Sequence, residues 1–321
     1  MTREKQKIYI LITVDTEAHW WKYPIEEGIL GKFKESYYGI GKIMDICEEL
    51  EVKATFFVDI AEAWDWGDKK IGKICKKISQ RGHDIQLHIH PFHMADPSRN
   101  LLWQYSIKEQ YNIIRKCKNK FCELCGKPPL AFRAGSYGAN NQTLDVLNDL
   151  NFKMDFSFFH KRSNCRIKND KINQPWTYKN LIEIPVTVYQ SLKILEWKRY
   201  DKIDINSITY NEFRSIFKQF TLSNTSSIIV FFMHSFSFFQ KGQNKKISYI
   251  RKSCMKKFKK ILEEILSYKN TQIITVSDLN EIFEKKNKKI MEYKEFIPSI
   301  NAIIPNIIRF SKIIFNRIFR N

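Results

Sequence analysis

A chain of 321 residues with 43% hydrophobic and 14% aromatic content can bury one large α/β core or two smaller ones. Eleven glycines and nine prolines exclude a low-complexity or long disordered chain, and no stretch reaches the roughly 18 uncharged apolar residues that a transmembrane helix needs. The formal charge of +20 suits acidic partners such as phosphate or an anionic membrane surface, whereas the lack of any RNP-like, helix-turn-helix or zinc-finger pattern argues against nucleic acid.

Seven scattered cysteines, an odd number, predict reduced thiols rather than a disulfide framework. The opening Met-Thr-Arg-Glu-Lys-Gln-Lys runs into a strand-like segment with no apolar signal region. These features predict a cytoplasmic protein.

Ile8–Val14 is a β-branched apolar run that reads as a first buried strand. Asp15 and Glu17 follow, two residues apart, so both carboxylates can project to one side. Residues 38–51 read as a helix, Lys53–Val58 as a second strand, and 69–81 as a basic helix stopped at Gly82, where glycine suits the end of a helix. Next comes Gly82-His83-Asp84-Ile85-Gln86-Leu87-His88-Ile89-His90-Pro91-Phe92-His93, which holds four of the seven histidines. As a strand it places Asp84, Gln86, His88 and His90 on one face and Ile85, Leu87 and Ile89 on the other. Two imidazoles on one strand face are costly to bury without a purpose, and His-x-His aims both rings at one point, as a metal requires.

A long amphipathic helix is predicted over 104–126, a short strand over Leu130–Arg133 and a helix over 141–150. Phe152–Phe158 and Leu181–Val188 read as strands, 208–222 as a helix and Ser227–Met233 as an apolar strand ending at His234. A lysine-rich helix over 245–268, a strand over Gln272–Val276 and a helix over 278–287 complete the pattern. Strands alternating with helices imply βα units and a largely parallel sheet, either a closed barrel or an open doubly wound one. Asp15, His88, Arg133, Asp155 and His234 each fall at or near the end of a different predicted strand, so one converging site is plausible.

That inventory points to metal-assisted hydrolysis. Two histidines and a carboxylate can hold a divalent ion with positions left open, and a second carboxylate beside them can take a proton from water. A distant histidine can protonate a leaving group, and Arg133 can orient a carboxylate.

Thr13-Val14-Asp15-Thr16-Glu17, Ala54-Thr55-Phe56-Phe57-Val58, Gly82-His83-Asp84 with His88-Ile89-His90-Pro91, Phe132-Arg133-Ala134-Gly135 and Phe232-Met233-His234 follow one another in the order and spacing of the polysaccharide deacetylases. The resemblance, to the carbohydrate esterases with a NodB-homology domain, covers roughly residues 8–285. It is nearest to a divergent branch associated with lipopolysaccharide or capsule gene clusters. The resemblance implies a distorted, incomplete (β/α) barrel over residues 1–290 and removal of acetyl groups from N-acetylated sugars with a divalent ion, often zinc. It implies Asp15 as the base, Arg133 as the residue orienting it, His234 as the general acid and Asp155 as the partner that raises the pKa of His234. Glu17 and His88 match metal ligands. The family's His-x-x-x-His would place the second histidine at Phe92; His90 shares the strand face with His88 and is preferred, with His93 as the alternative. The family's Arg-x-Pro-Tyr is altered to Arg133-Ala134-Gly135-Ser136-Tyr137, so Tyr137 or a nearby backbone N–H is left to meet the oxyanion. Trp20, Trp21, Tyr137 and Trp197 can line a sugar groove or pack in the core.

Residues 291–321 form a basic, amphipathic tail. As a helix, Ile307, Ile308, Ile314, Phe315, Ile318 and Phe319 share one face and Arg309, Lys312, Arg317 and Arg320 the other, a partition suited to anionic lipid over residues 303–321 or to docking on the barrel or another subunit. The expected substrate is a lipid- or nucleotide-linked glycan of surface-polysaccharide synthesis at the inner membrane face. Hydrolysis of a non-sugar amide and an inactive glycan- or membrane-binding barrel are the alternatives.

Overall fold

The computed structural model describes residues 6–18, 23–223, 225–242, 245–285 and 295–300. Nine strands make one sheet: Ile8–Thr16 (β1), Thr55–Asp59 (β2), Asp84–Ile89 (β3), Ala131–Ala134 (β4), Met154–Asp155 (β5), Trp176–Tyr178 (β6), Leu181–Glu183 (β7), Ser227–His234 (β8) and Thr271–Ile274 (β9). Their order is β8-β1-β2-β3-β4-β5-β7-β6, with β9 paired to the first half of β1. Every pairing is parallel except that of β6 with β7.

Alternate residues of β1 serve two cores. Ile8, Ile10, Ile12 and Val14 pack outward with the helices. Tyr9 and Leu11 point inward, into one cluster with Phe57 of β2, Met154 of β5, Ile182 of β7 and Val230 of β8. Side chains from strands so far apart in the sheet order can meet only if the sheet curls, and it remains unclosed because β8 and β6 are its ends. This is the incomplete barrel that the resemblance implied. Backbone from 203–205 pairs with the free edge of β8 at Phe232, whose N–H donates to Ile203 C=O at 2.9 Å and whose C=O accepts from Ile205 N–H at 3.1 Å.

Among the described residues, seven helices of nine residues or more pack around the sheet: Ile40–Glu49 (α1), Asp68–Gln80 (α2), Ile107–Cys125 (α3), Asn141–Asp149 (α4), Tyr210–Leu222 (α5), Lys252–Leu266 (α6) and Val276–Lys285 (α7). The start of α3 is set by Ser106 and Glu109 and that of α5 by Thr209 and Glu212, each a reciprocal capping pair that satisfies donors the first turn leaves free. Gly82 after α2 and Gly126 after α3 take φ of +73° and +72°, the left-handed turn in which glycine is unstrained. Val276, Leu279 and Phe283 of α7 plug the end of the barrel opposite the strand C-termini.

Three expected elements are shorter than anticipated. To the main sheet Phe152–Phe158 contributes only β5 and Leu181–Val188 only β7, because the chain leaves it after two and three paired residues. The helix expected from 245 starts at Lys252, since Ile247–Ile250 pairs antiparallel with Phe239–Lys241. A second ribbon, Val188–Ile194 with Trp197–Lys202, was not anticipated. Its residue Gln190 bonds Pro298 and Ile300, so 295–300 run back against the body. All seven cysteines are free thiols. No described helix is long and apolar enough to cross a membrane. The amphipathic segment over 303–321, like Trp20 and Trp21, lies outside the described residues.

Candidate metal centre

Parallel register brings the strand C-termini to one level. Asp15 lies opposite His234 of β8 and Phe57 of β2, and His88 lies opposite both Asp59 of β2 and Arg133 of β4. The polar face of β3 therefore points into the barrel. Its lower members are anchors: Asp84 accepts from Thr55 Oγ1, Gln86 Nε2 and Ser277 Oγ, and Gln86 Oε1 accepts the N–H groups of Leu130 and Ala131 at 2.9 and 2.8 Å. These partners offset the cost of burial.

At the rim His88 donates from Nδ1 to the Arg133 carbonyl at 2.9 Å. That bond sets the tautomer and leaves the Nε2 lone pair without a partner among the described residues. Nε2 of His88 stands 3.4 Å and Nε2 of His90 2.8 Å from Glu17 Oε2. Glu17, His88 and His90, all buried, each offer a ligand atom, and these atoms lie within 4.8 Å of one another. His93 is turned elsewhere by the single helical turn Pro91–His93. Its ring belongs to a separate group with Asp59 and Glu62.

Arg133, fully buried, donates to Asp15 Oδ1 at 2.6 Å and to Thr13 Oγ1 at 3.1 Å, with its guanidinium 4.2 Å above the Phe57 ring. Burial works to raise the pKa of Asp15, but Arg133, then His88 and His234, outweigh it and hold the carboxyl below its ordinary value. Burial likewise opposes ionisation of Glu17, which His90, His88 and His234 hold well below the usual range. Ser235 Oγ donates to the Glu17 carbonyl at 2.9 Å and fixes that turn of backbone.

His234 has a quarter of its side chain exposed, with Nε2 3.8 Å from Glu17 Oε1, and its ring stacks on Phe236. Burial and the neighbouring Lys202 lower its pKa, against Glu17, Asp15 and Asp204. This departs from the expected raising of the His234 pKa by Asp155. Asp155 instead accepts from Ser157 Oγ at 2.6 Å and neighbours Glu183, both carboxyls being pushed up by burial; it lies opposite Glu183 in the pairing of β5 with β7.

Two lysines at the rim escaped the sequence reading. Burial lowers Lys202 to about 8, and its Nζ lies 3.4 Å from Asp204 and donates to the Tyr137 hydroxyl at 3.2 Å. Burial lowers Lys241 to about 7 beside Glu17 and Glu62, and its Nζ donates to the Ala18 carbonyl. Both arrive on the antiparallel ribbons, which carried no motif. Tyr137 is buried, with Ser136 and Tyr137 both at positive φ, a strained turn of the kind found at functional sites. Trp197 is 57% exposed.

The donor set fits a divalent ion. Two imidazole nitrogens and one carboxylate form a known set for catalytic zinc, and the carbonyl on the far side of His88 supplies the outer bond that orients such a ligand. The orphaned Nε2 of His88 is the observation that a bound cation accounts for.

An unclosed parallel barrel with an imidazole–carboxylate cluster at its C-terminal rim defines the class. Residues 34–154 match the family model for polysaccharide deacetylase. This stretch holds His88, His90 and Arg133, whereas Asp15, Glu17 and His234 lie outside the matched span. A protein of Mycobacterium smegmatis named as a polysaccharide deacetylase superposes with a TM-score of 0.61 at 14% identity, over 94% of this chain and 97% of the other. One from Pseudomonas aeruginosa PAO1 so named gives 0.58 at 10%, over 88% and 92%. Puue allantoinase gives 0.57 at 11%, over 89% and 93%. No curated protein sequence matches the chain.

Proposed function

We propose that the protein is a divalent-metal-dependent hydrolase, with zinc as its metal, that removes the acetyl group from an N-acetylated sugar. The convergence of Glu17, His88 and His90 beside the Arg133-bound carboxylate of Asp15 carries this reading. A bound cation would supply Lewis-acid polarisation of the amide carbonyl and the attacking water. Asp15, kept ionised and aimed by Arg133, takes the proton from water as its oxygen adds to the acyl carbon. Arg133 is the orienting group, and the Tyr137 hydroxyl, itself accepting from Lys202, meets the developing oxyanion. The C–N bond then breaks, and His234 gives its proton to the departing nitrogen, yielding acetate and a free amine. General acid–base steps of this kind contribute about 10²–10⁴-fold each.

The charge of +20 supports a phosphate-bearing substrate, a lipid- or nucleotide-linked intermediate of surface-polysaccharide synthesis at the cytoplasmic face. The basic amphipathic segment 303–321 supports attachment there to anionic lipid; a chain ending at 295 would then lose liposome binding yet keep its metal.

Metal analysis of protein purified without chelator tests the assignment, together with acetate release from N-acetylated sugars. At least one equivalent of metal is expected in the wild type and in folded Asp15→Asn, with acetate release lost in the latter, and one equivalent fewer in His88→Ala. Metal-free, inactive wild type would instead support a glycan- or membrane-binding barrel. The fold likeness to an allantoinase favours hydrolysis of a non-sugar C–N bond as the second reading, and turnover of a cyclic ureide without acetate release would select it.

A further inference from the structure

Asp59 closes β2. Its Oδ1 accepts the Ala61 N–H at 3.0 Å, and both oxygens lie 3.3 Å from the His90 N–H. Glu62, in the turn that follows, is fully buried. One of its oxygens accepts the Ala18 N–H; the other, Oε2, has no hydrogen-bond partner among the described residues. His93 comes from the turn after β3. Its Nδ1 lies 2.5 Å from Asp65 Oδ2, so the ring hydrogen is spent there and the Nε2 lone pair faces Asp59 Oδ2 at 3.6 Å.

Two acceptors thus confront each other beyond hydrogen-bond reach, next to an orphaned carboxylate oxygen, in a fully buried setting. Asp59, Glu62 and His93 each present a ligand atom, all within 4.8 Å of one another. Buried carboxylates need a cation or a proton. A proton shared by the two carboxyls would leave the lone pair of His93 facing oxygen, whereas a cation would satisfy all three groups. The Asp65–His93 bond is also the carboxylate–histidine arrangement that orients metal-bound imidazoles.

We propose that Asp59, Glu62 and His93 form a second divalent-cation site, separate from the Glu17–His88–His90 group and set beside it. One imidazole with two carboxylates suits a first-row ion such as zinc, manganese or iron, rather than calcium or magnesium with their all-oxygen sets. The site does not depend on the deacetylase reading. The Asp59 carboxylate, which holds the His90 N–H, is the physical link between the two groups.

The test is metal stoichiometry by mass spectrometry on the full chain, stripped and reloaded with Zn²⁺, for wild type, His93→Gln, Glu62→Gln and His88→Ala, with folding checked by circular dichroism. Two equivalents are expected in the wild type and one in each variant. One equivalent in the wild type, lost in His88→Ala and kept in His93→Gln, would overturn the second site. One equivalent lost in His93→Gln but kept in His88→Ala would support it while removing the first. A Co²⁺ titration of the wild type needs no variant: two successive, spectrally distinct saturations support the proposal, and a single saturation at one equivalent overturns it.

Discussion

A Cβ on Gly135 would stand 2.6 Å from Nδ1 of His90 and 2.7 Å from the Ile89 carbonyl oxygen. Gly135 does not need a left-handed backbone; space alone demands glycine, because the end of β4 serves as the backstop of the His90 ring. In Gly135→Ala either the ring or the rim of β4 must move, which breaks the 2.8 Å approach of His90 Nε2 to Glu17. Overpacking of this sort costs about 1–3 kcal/mol, and loss of ligand support weakens metal binding about 10–100-fold. A competition titration against a chromogenic chelator reads the second number. Unchanged affinity in a folded Gly135→Ala would show that His90 is not a ligand.

The Arg133–Asp15 pair is buried, so removing one partner strands the other charge. Arg133→Met is expected to cost about 3–5 kcal/mol, read as a lowered Tm. It also removes the group that overcomes the effect of burial on Asp15, so the carboxyl pKa must rise. A base has to be ionised to work, and the acid limb of kcat/KM therefore moves to higher pH. An acid limb that stays in place in Arg133→Met would assign the base to another residue.

The rim was legible where chemistry follows strand period. Alternation in β3 placed His88 and His90 together, and the ordered motifs placed Asp15 and Arg133 on neighbouring levels. Asp84 and Gln86, on the same costly polar face, are structural anchors instead, because their partners Thr55, Ser277 and the 130–131 backbone come from distant segments. His93 could not be told from His90 by spacing, since the turn begun by Pro91 redirects it toward Asp65. The resemblance joins Asp155 to His234 through a short motif match, whereas its neighbour in the structure, Glu183, sits on a three-residue strand too short to stand out. Lys202 and Lys241 reach the rim through cross-strand pairing, which no local pattern announces.

His83 links stability to pH well away from the rim. Its Nδ1 accepts the Ala54 N–H at 3.0 Å and its Nε2 donates to Glu48, which Arg81 also grips. Burial lowers its pKa, against the pull of Glu48, and protonation of Nδ1 would cancel the bond to Ala54. The unfolded chain thus takes up the proton first. The contribution of His83 is present in full above its unfolded value of about 6.5 and is lost as pH falls through that value toward the folded one. His83→Gln should flatten urea midpoints below pH 6.5, removing at most about 1.4 kcal/mol per pH unit of slope. An identical slope in wild type and variant would mean that His83 titrates alike in both states.

Lys202 sets the other limb of the pH profile. Its Nζ lies 3.1 Å from the centroid of Phe232 and donates to Tyr137, and its charge works with burial to lower the pKa of His234. Lys202→Met keeps the aliphatic stem and removes that charge, so the His234 pKa rises. An acid must be protonated to act, and activity falls as pH passes its pKa. The alkaline limb of kcat/KM is therefore expected at higher pH in Lys202→Met than in the wild type. Loss of the donor to Tyr137 should lower kcat at the same time, with KM little changed. A limb that moves to lower pH, or not at all, would remove His234 as the acid whose charge Lys202 governs.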